Sequence, residues 1–175
     1  QFPQPGSLLV VCGKGNNGGD GFVIARAAAK DGWNVTALLA EGEPKTTDAI
    51  TNFGRLHSLS VNICADCTVL ETQHFDVVVD ALYGTGFHGA LRPSGLAACG
   101  LMNRLHKSGA FVLAVDLPSG INTDTGEVAE GATHADLTVT FDSYKPLHVV
   151  ESSAPLCGKI VCSDIGIRDE WHPEF

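Results

Sequence analysis

Residues 8–31 read Leu8-Leu9-Val10-Val11-Cys12-Gly13-Lys14-Gly15-Asn16-Asn17-Gly18-Gly19-Asp20-Gly21-Phe22-Val23-Ile24-Ala25-Arg26-Ala27-Ala28-Ala29-Lys30-Asp31. An apolar run of strand length enters a glycine-rich turn. Helix formers with apolar groups at helical spacing then run from 21 to 31 and stop at Gly32, a residue type that ends helices. A strand with no polar alternation has both faces buried, which is the pattern of a parallel sheet covered by helices.

The same alternation continues outward. Residues 34–39 read as a second strand. Residues 46–59 place Ala49, Ile50, Phe53, Leu56 and Leu59 on one helical face, with Thr46 or Thr47 available as cap. A brief third strand at 61–63 precedes an irregular stretch, 64–75. Residues 76–82 form a strong buried strand, 96–107 a helix ending near Gly109, and 111–115 another apolar strand. A turn-rich stretch, 116–131, follows, and 137–141 and 159–162 read as later strands. Right-handed crossovers between such strands predict one α/β domain over 1–175, a doubly wound, mostly parallel sheet with helices on both faces. The last strands have no predicted helix between them and are expected to break the pattern.

The 175 residues carry 11 Lys and Arg against 20 Asp and Glu, a formal charge of −9. That balance argues against a nucleic-acid binder acting through a basic face, though amides at a helix start can still hold a phosphate. Apolar residues make up 44%, enough for a core, and no run approaches the roughly 20 residues that span a bilayer. The opening Gln1-Phe2-Pro3-Gln4-Pro5-Gly6-Ser7 lacks the charge and apolar stretch of a signal peptide. Six scattered cysteines (Cys12, Cys64, Cys67, Cys99, Cys157, Cys162) do not make a disulfide scaffold. The expectation is a cytoplasmic protein with reduced thiols and neither nucleic acid nor membrane as partner.

In an open parallel sheet, ligands bind beyond the carboxyl ends of the strands. After the first strand comes 13–21, holding Gly13, Gly15, Gly18, Gly19 and Gly21 with Asn16, Asn17 and Asp20. After 77–79 comes Asp80-Ala81-Leu82-Tyr83-Gly84-Thr85-Gly86, and after 111–115 comes Asp116-Leu117-Pro118-Ser119-Gly120. The second and third strands end blandly, so the chemistry gathers on strands one, four and five. Gly13-x-Gly15-x-x-Gly18 matches a dinucleotide fingerprint, with Glu41 as a stand-in for its ribose-binding acid. By itself the match is equally a tight strand-to-helix turn. Asn16, Asn17 and Asp20 favour a dedicated site, and the lack of G-K-[ST] speaks against a nucleotide hydrolase. Asp80 and Asp116 each end an apolar strand. Either is satisfied by neighbouring amides, or the pair serves a cation or shares a proton.

Residues 11–21 together with 79–86 and Val115-Asp116-Leu117-Pro118-Ser119-Gly120-Ile121-Asn122 closely resemble the NAD(P)H-hydrate epimerase family, the YjeF N-terminal domain. The likeness runs from about Leu8 to Ile167, its last strand matching Ser163-Asp164-Ile165-Gly166-Ile167. It implies a Rossmann-like domain that interconverts the R and S epimers of hydrated NADH or NADPH for metabolite repair. It also implies that Asn16, Asn17, Gly18, Gly19 and Asp20 line the substrate, with Gly84, Thr85, Gly86, Phe87, His88, Gly89 and Ala90 as the second substrate loop. By the same resemblance, Asn17, Asp80 and Ser119 hold a potassium ion, and Asp116 touches the substrate and is the acid–base candidate, with a raised pKa. The family's partner is an NAD(P)H-hydrate dehydratase, fused in many bacteria beyond the end corresponding to 168–175. A helical segment usual before the first strand, which builds a homodimer, is apparently lacking ahead of Gln1, so the chain reads as a fragment of a bifunctional protein.

Weaker signals have plainer readings. Cys64-Ala65-Asp66-Cys67 lacks a matching second pair for zinc. His57 and His106 read as helix-surface residues, and His88 as a plain loop residue or, as the lesser reading, a phosphate contact. Lys145, in Lys145-Pro146-Leu147-His148, is a phosphate or active-site partner or simply a solvated lysine, and Tyr83 stacks on a ring or packs. Two rival functions are an NAD-dependent oxidoreductase, for which the chain leaves little room, and a non-catalytic nucleotide-binding or protein-interaction module.

Overall fold

The computed structural model describes residues 4–166. Seven strands are present: β1 (Ser7–Cys12), β2 (Asn34–Leu39), β3 (Val61–Cys64), β4 (Val77–Ala81), β5 (Phe111–Val115), β6 (Leu137–Phe141) and β7 (Lys159–Ser163). They form one sheet in the order β3-β2-β1-β4-β5-β6-β7, with every neighbouring pair parallel. Helices α1 (Asn16–Lys30), α2 (Thr47–Gly54) and α3 (Pro93–Lys107) cover it, and a one-turn helix α4 (Ala154–Cys157) precedes β7.

Alternate residues of the central strands feed two cores. Leu9 and Val11 of β1, with Val78 and Val112, pack under Ala98, Leu101, Met102 and Leu105 of α3. Val10 and Cys12, with Val35 and Val79, pack under Phe22 and Ala25 of α1 and Ala49 of α2. Helices on opposite faces make the sheet doubly wound, and the chain reverses direction across it between β1 and β4. Their carboxyl ends therefore diverge into a crevice.

Four expectations need correction. Helix α1 begins at Asn16, not near 21, because glycine is no obstacle in a first turn that lies flat on the sheet. Gly19 N–H already donates to Gly15 O at 3.1 Å. A Cβ on Gly18 would lie 1.8 Å from Gly13 O, and one on Gly21 2.7 Å from Ala81 Cβ. Helix α2 stops at Gly54, leaving Ile50 exposed and 55–59 in turns. The last strands do not break the parallel pattern: an irregular connection over 116–136 and a largely irregular one over 142–158, with only short helical turns, serve as crossovers where no long helix is present. Helix α3 also starts earlier than 96, with Pro93 in its first turn, where no amide proton is needed. The 1–3 and 167–175 segments, including Ile167 and the end to which a dehydratase was expected to be joined, lie outside the described residues.

The close approach at Gly18 gives a testable consequence. Gly18→Ala must push α1 off the first loop, because the obstructing atom is backbone. A loss of about 2–3 kcal/mol is expected, seen as a Tm lower by roughly 5–10 °C for a domain of this size.

Candidate active site at the ends of β1, β4 and β5

Beyond the divergent strand ends lies a cavity of about 570 Å³. The first loop and α1 line it with Lys14, Gly15, Asn16, Asn17 and Asp20. The loop after β4 contributes Leu82, Tyr83, Gly84, Thr85, Gly86, Phe87, His88, Ala90 and Arg92, and Glu41 and Asp116 complete the wall. Gly18, Gly19 and Gly89 do not line it: the first two are buried where α1 packs on the first loop and on Ala49. The helix-start amides on the β1 loop face the cavity and suit an anionic group.

Asp80 and Ser119 lie beneath this surface, both fully buried. Ser119 N–H donates to Asp80 Oδ2 at 2.7 Å, Ser119 Oγ–H to Oδ1 at 2.6 Å, and Leu82 N–H to Oδ1 at 3.2 Å. Burial pushes the Asp80 carboxyl up from its ordinary value, and the Ser119 and Leu82 donors pull it partly back. Asn17 reaches the same place from α1, its Nδ2 donating to Tyr83 O at 3.0 Å, while Tyr83 N–H donates to Ser119 Oγ at 2.9 Å. Asn17, Asp80 and Ser119 are thus joined around the Tyr83 peptide. Amide, hydroxyl, carboxylate and carbonyl oxygens in one neighbourhood, with a single negative charge, fit a weakly held monovalent cation by donor chemistry.

Asp116 stands at the end of β5 in a left-handed backbone conformation, φ 69°. Aspartate tolerates that region better than most side chains. Its N–H is bound to Val139 O at 2.8 Å. Its Oδ1 accepts from Thr140 Oγ1 at 2.8 Å and from Lys145 Nζ at 2.5 Å. Lys145 Nζ also donates to Thr140 Oγ1 at 2.7 Å and Phe141 O at 2.8 Å, and its side chain is only 17% exposed. The plain reading of Lys145 as a solvated residue is therefore overturned. What hid the contact is that Lys145 follows β6, which only the folded sheet sets beside β5. The Asp116 carboxylate thus has a cationic partner in Lys145.

His148 supports the same corner. Its Nδ1 accepts from Lys145 N–H at 3.0 Å and its Nε2 meets Asp116 O at 3.1 Å. Only a neutral ring protonated on Nε2 satisfies both contacts. Desolvation holds the His148 pKa below its ordinary value. The unfolded chain then takes the proton first, so stability is complete above about pH 6.5 and declines as pH falls toward the folded ring's lower value. His148→Gln is expected to flatten this decline, measured as unfolding free energy against pH.

The remaining candidates fall into place. Glu41 Oε1 accepts from Tyr83 Oη at 2.8 Å, and Oε2 lies 3.7 Å from Lys14 Nζ, so the second-strand acid is paired within the crevice. Tyr83 packs on Phe87, with ring centroids 5.2 Å apart, and burial with the Glu41 contact pushes its hydroxyl pKa up. His88 Nδ1 lies 3.2 Å from Asn122 Nδ2. His106 on α3 pairs with Asp136 at 3.0 Å, and His57 is exposed in the turn after α2. Cys64 ends edge strand β3, whereas Cys162 lies on the opposite edge strand β7, so the two cysteine pairs cannot share a metal. Among the described residues no helix is long and apolar enough to cross a membrane.

Comparison with known proteins places this geometry. The family described as YjeF-related protein N-terminus matches residues 1–147. A protein of Limosilactobacillus fermentum named NAD(P)H-hydrate epimerase is 34% identical over 169 residues, which cover 93% of this chain and 76% of that protein. The bifunctional NAD(P)H-hydrate repair enzyme Nnr of Methanothermobacter thermautotrophicus is 40% identical over 172 residues. This chain spans only 32% of that relative's length. The crystal structure of yeast ynu0, YNL200c, superposes with a TM-score of 0.73 at 22% identity, covering 87% of this chain and 66% of the yeast chain, a likeness of fold.

Proposed function

The chain belongs to the family of YjeF-related protein N-termini, and on that premise we propose that it interconverts the R and S epimers of hydrated NADH and NADPH, an isomerase of metabolite repair. The observation that supports it best is the meeting, in one cavity of about 570 Å³, of the β1 and β4 glycine loops with the Asp116 carboxylate. A cavity of that size takes a nucleotide-sized ligand. Asn16, Asn17 and the helix-start amides are suited to the phosphate–sugar body, and 84–90 form the facing substrate loop.

The reaction needs no redox change. In hydrated NADH the carbon beside the ring nitrogen bears a hydroxyl. The nitrogen lone pair expels that hydroxyl as it takes up a proton, and water returns to the other face. Asp116 is the group assigned to acid–base work at this carbon, held by Lys145 and Thr140 in a fixed orientation.

Potassium is the proposed ion. Asn17, Asp80 and Ser119 would hold it beneath the substrate, where its charge would steady the Tyr83 loop and the phosphates above. The proposed partner is an NAD(P)H-hydrate dehydratase, supported by the bifunctional names of the longer relatives. A homodimer belongs to the same reading and is carried by the resemblance alone. Free thiols among the described residues suit a reducing compartment, and the cytoplasm is the proposed location.

The test couples the protein to a dehydratase that accepts only the S epimer and follows recovery of NADH from the R epimer. Potassium-dependent acceleration is expected. An unchanged rate would leave a non-catalytic binding module as the better reading.

A further inference from the structure

We propose that Asp20, on α1 and lining the same cavity as Asp116, is a second proton-transfer residue, and this rests on the epimerase reading. Exchange of a hydroxyl between two faces of a ring requires a proton delivered on one face and removed on the other. One carboxyl group cannot reach both faces of a bound ring, so two groups are needed. Of the cavity's other carboxylates Glu41 is tied to Tyr83 and Lys14, which leaves Asp20 beside Asp116, whose Oδ1 is held by Lys145 and Thr140.

Their surroundings set them apart. Asp116 Oδ1 accepts from Lys145 and Thr140, which leaves Oδ2 as the oxygen to take up a proton. No hydrogen bond or ion pair to the Asp20 side chain occurs among the described residues. Partial desolvation, and then the Asp116 charge, raise the Asp20 pKa above its ordinary value. The other charged or titratable groups around Asp20 are Lys14 on its own loop, Tyr83, His88 and Arg92 on the β4 loop, and Lys45 and Asp48 at the start of α2, which packs on α1. Among the charges around Asp20, that of Asp116 raises its pKa.

The step balances without a co-reactant. Asp20 gives its proton to the hydroxyl, the C–O bond breaks with its electron pair leaving on water, and the nitrogen lone pair closes an iminium bond. A water then adds to the opposite face, its proton passes to Asp116 Oδ2, and the nitrogen regains its lone pair. In the reverse direction the two carboxyls exchange roles.

The test compares the full chain with Asp20→Asn and Asp20→Glu, measuring kcat, KM and the pH profile in both directions. Asp20→Asn is expected to lower kcat by about 100-fold or more, to keep KM within about threefold, and to erase the basic limb of the profile, with Asp20→Glu recovering part of the rate. A raised KM with kcat and profile intact would assign Asp20 to binding alone and overturn the proposal. A readout that needs no substrate is the carboxyl 13C titration of Asp20, whose midpoint is expected to fall in Asp116→Asn. A midpoint that does not move overturns the shared-proton arrangement even if the enzyme is active. A wild-type chain that does not accelerate epimerisation removes the epimerase reading, and the proposal with it, whatever the titration gives.

Discussion

Asp116→Asn is expected to lower kcat for epimer interconversion by about 10³-fold, with KM within a few-fold of wild type. The amide keeps an oxygen where Oδ1 now accepts from Lys145 and Thr140, and asparagine tolerates the left-handed backbone at this position as aspartate does. What it loses is the capacity to hold or release a proton. The corner should therefore fold as before, with a Tm lower by only a few degrees, while the chemical step fails. Stopped assays with the R epimer and the S-specific dehydratase would read the rate, and near-normal turnover would remove Asp116 from the reaction. Lys145→Met should lower kcat less than Asp116→Asn. It leaves the carboxylate in place and removes only the ammonium that fixes its direction. Because the two residues touch, their effects should not add.

Asp80→Ala is expected to cost about 4 kcal/mol of stability, since it leaves three buried donors without an acceptor. Those donors are Ser119 N–H, Ser119 Oγ–H and Leu82 N–H, all in the solvent-free layer beneath the cavity. Against a typical total of about 5–15 kcal/mol, that loss takes a large share of the domain's stability. Asp80→Asn should cost roughly half as much. Its amide nitrogen must face a backbone N–H whichever way it turns, but its oxygen still serves one side. Both variants should also loosen the Tyr83 loop, because Tyr83 N–H is held by the same Ser119 hydroxyl. Urea unfolding measures the effect, and a midpoint within error of wild type would show that water satisfies these groups.

Much of the fold was legible because burial on both faces leaves a direct signature. The runs at 8–12, 77–81 and 111–115 have no polar alternation, and these became the three central strands around the switch point. Helix α1 was misplaced by about one turn because helix propensity penalises glycine. That scale takes no account of the first loop pressed against Gly18 and the sheet pressed against Gly21 so closely that only glycine fits. The parallel course of β6 and β7 was missed because irregular chain can make a crossover as well as a helix can, and irregular chain has no periodicity to detect.

Sequence alone determined the layered α/β class, the edge of the sheet where the cavity lies, and the polar residues gathered there, since strand periodicity and the residues after each strand are local properties. Only the tertiary structure decided that Lys145 grips Asp116, that Asp80 is held by Ser119 under Tyr83 rather than in the open cavity, and that Asp20 is the cavity carboxylate left without a partner among the described residues. The first two contacts join residues 29 and 39 positions apart along the chain. Which side chains meet across such separations is set by strand order and helix packing, and a one-dimensional pattern does not encode either.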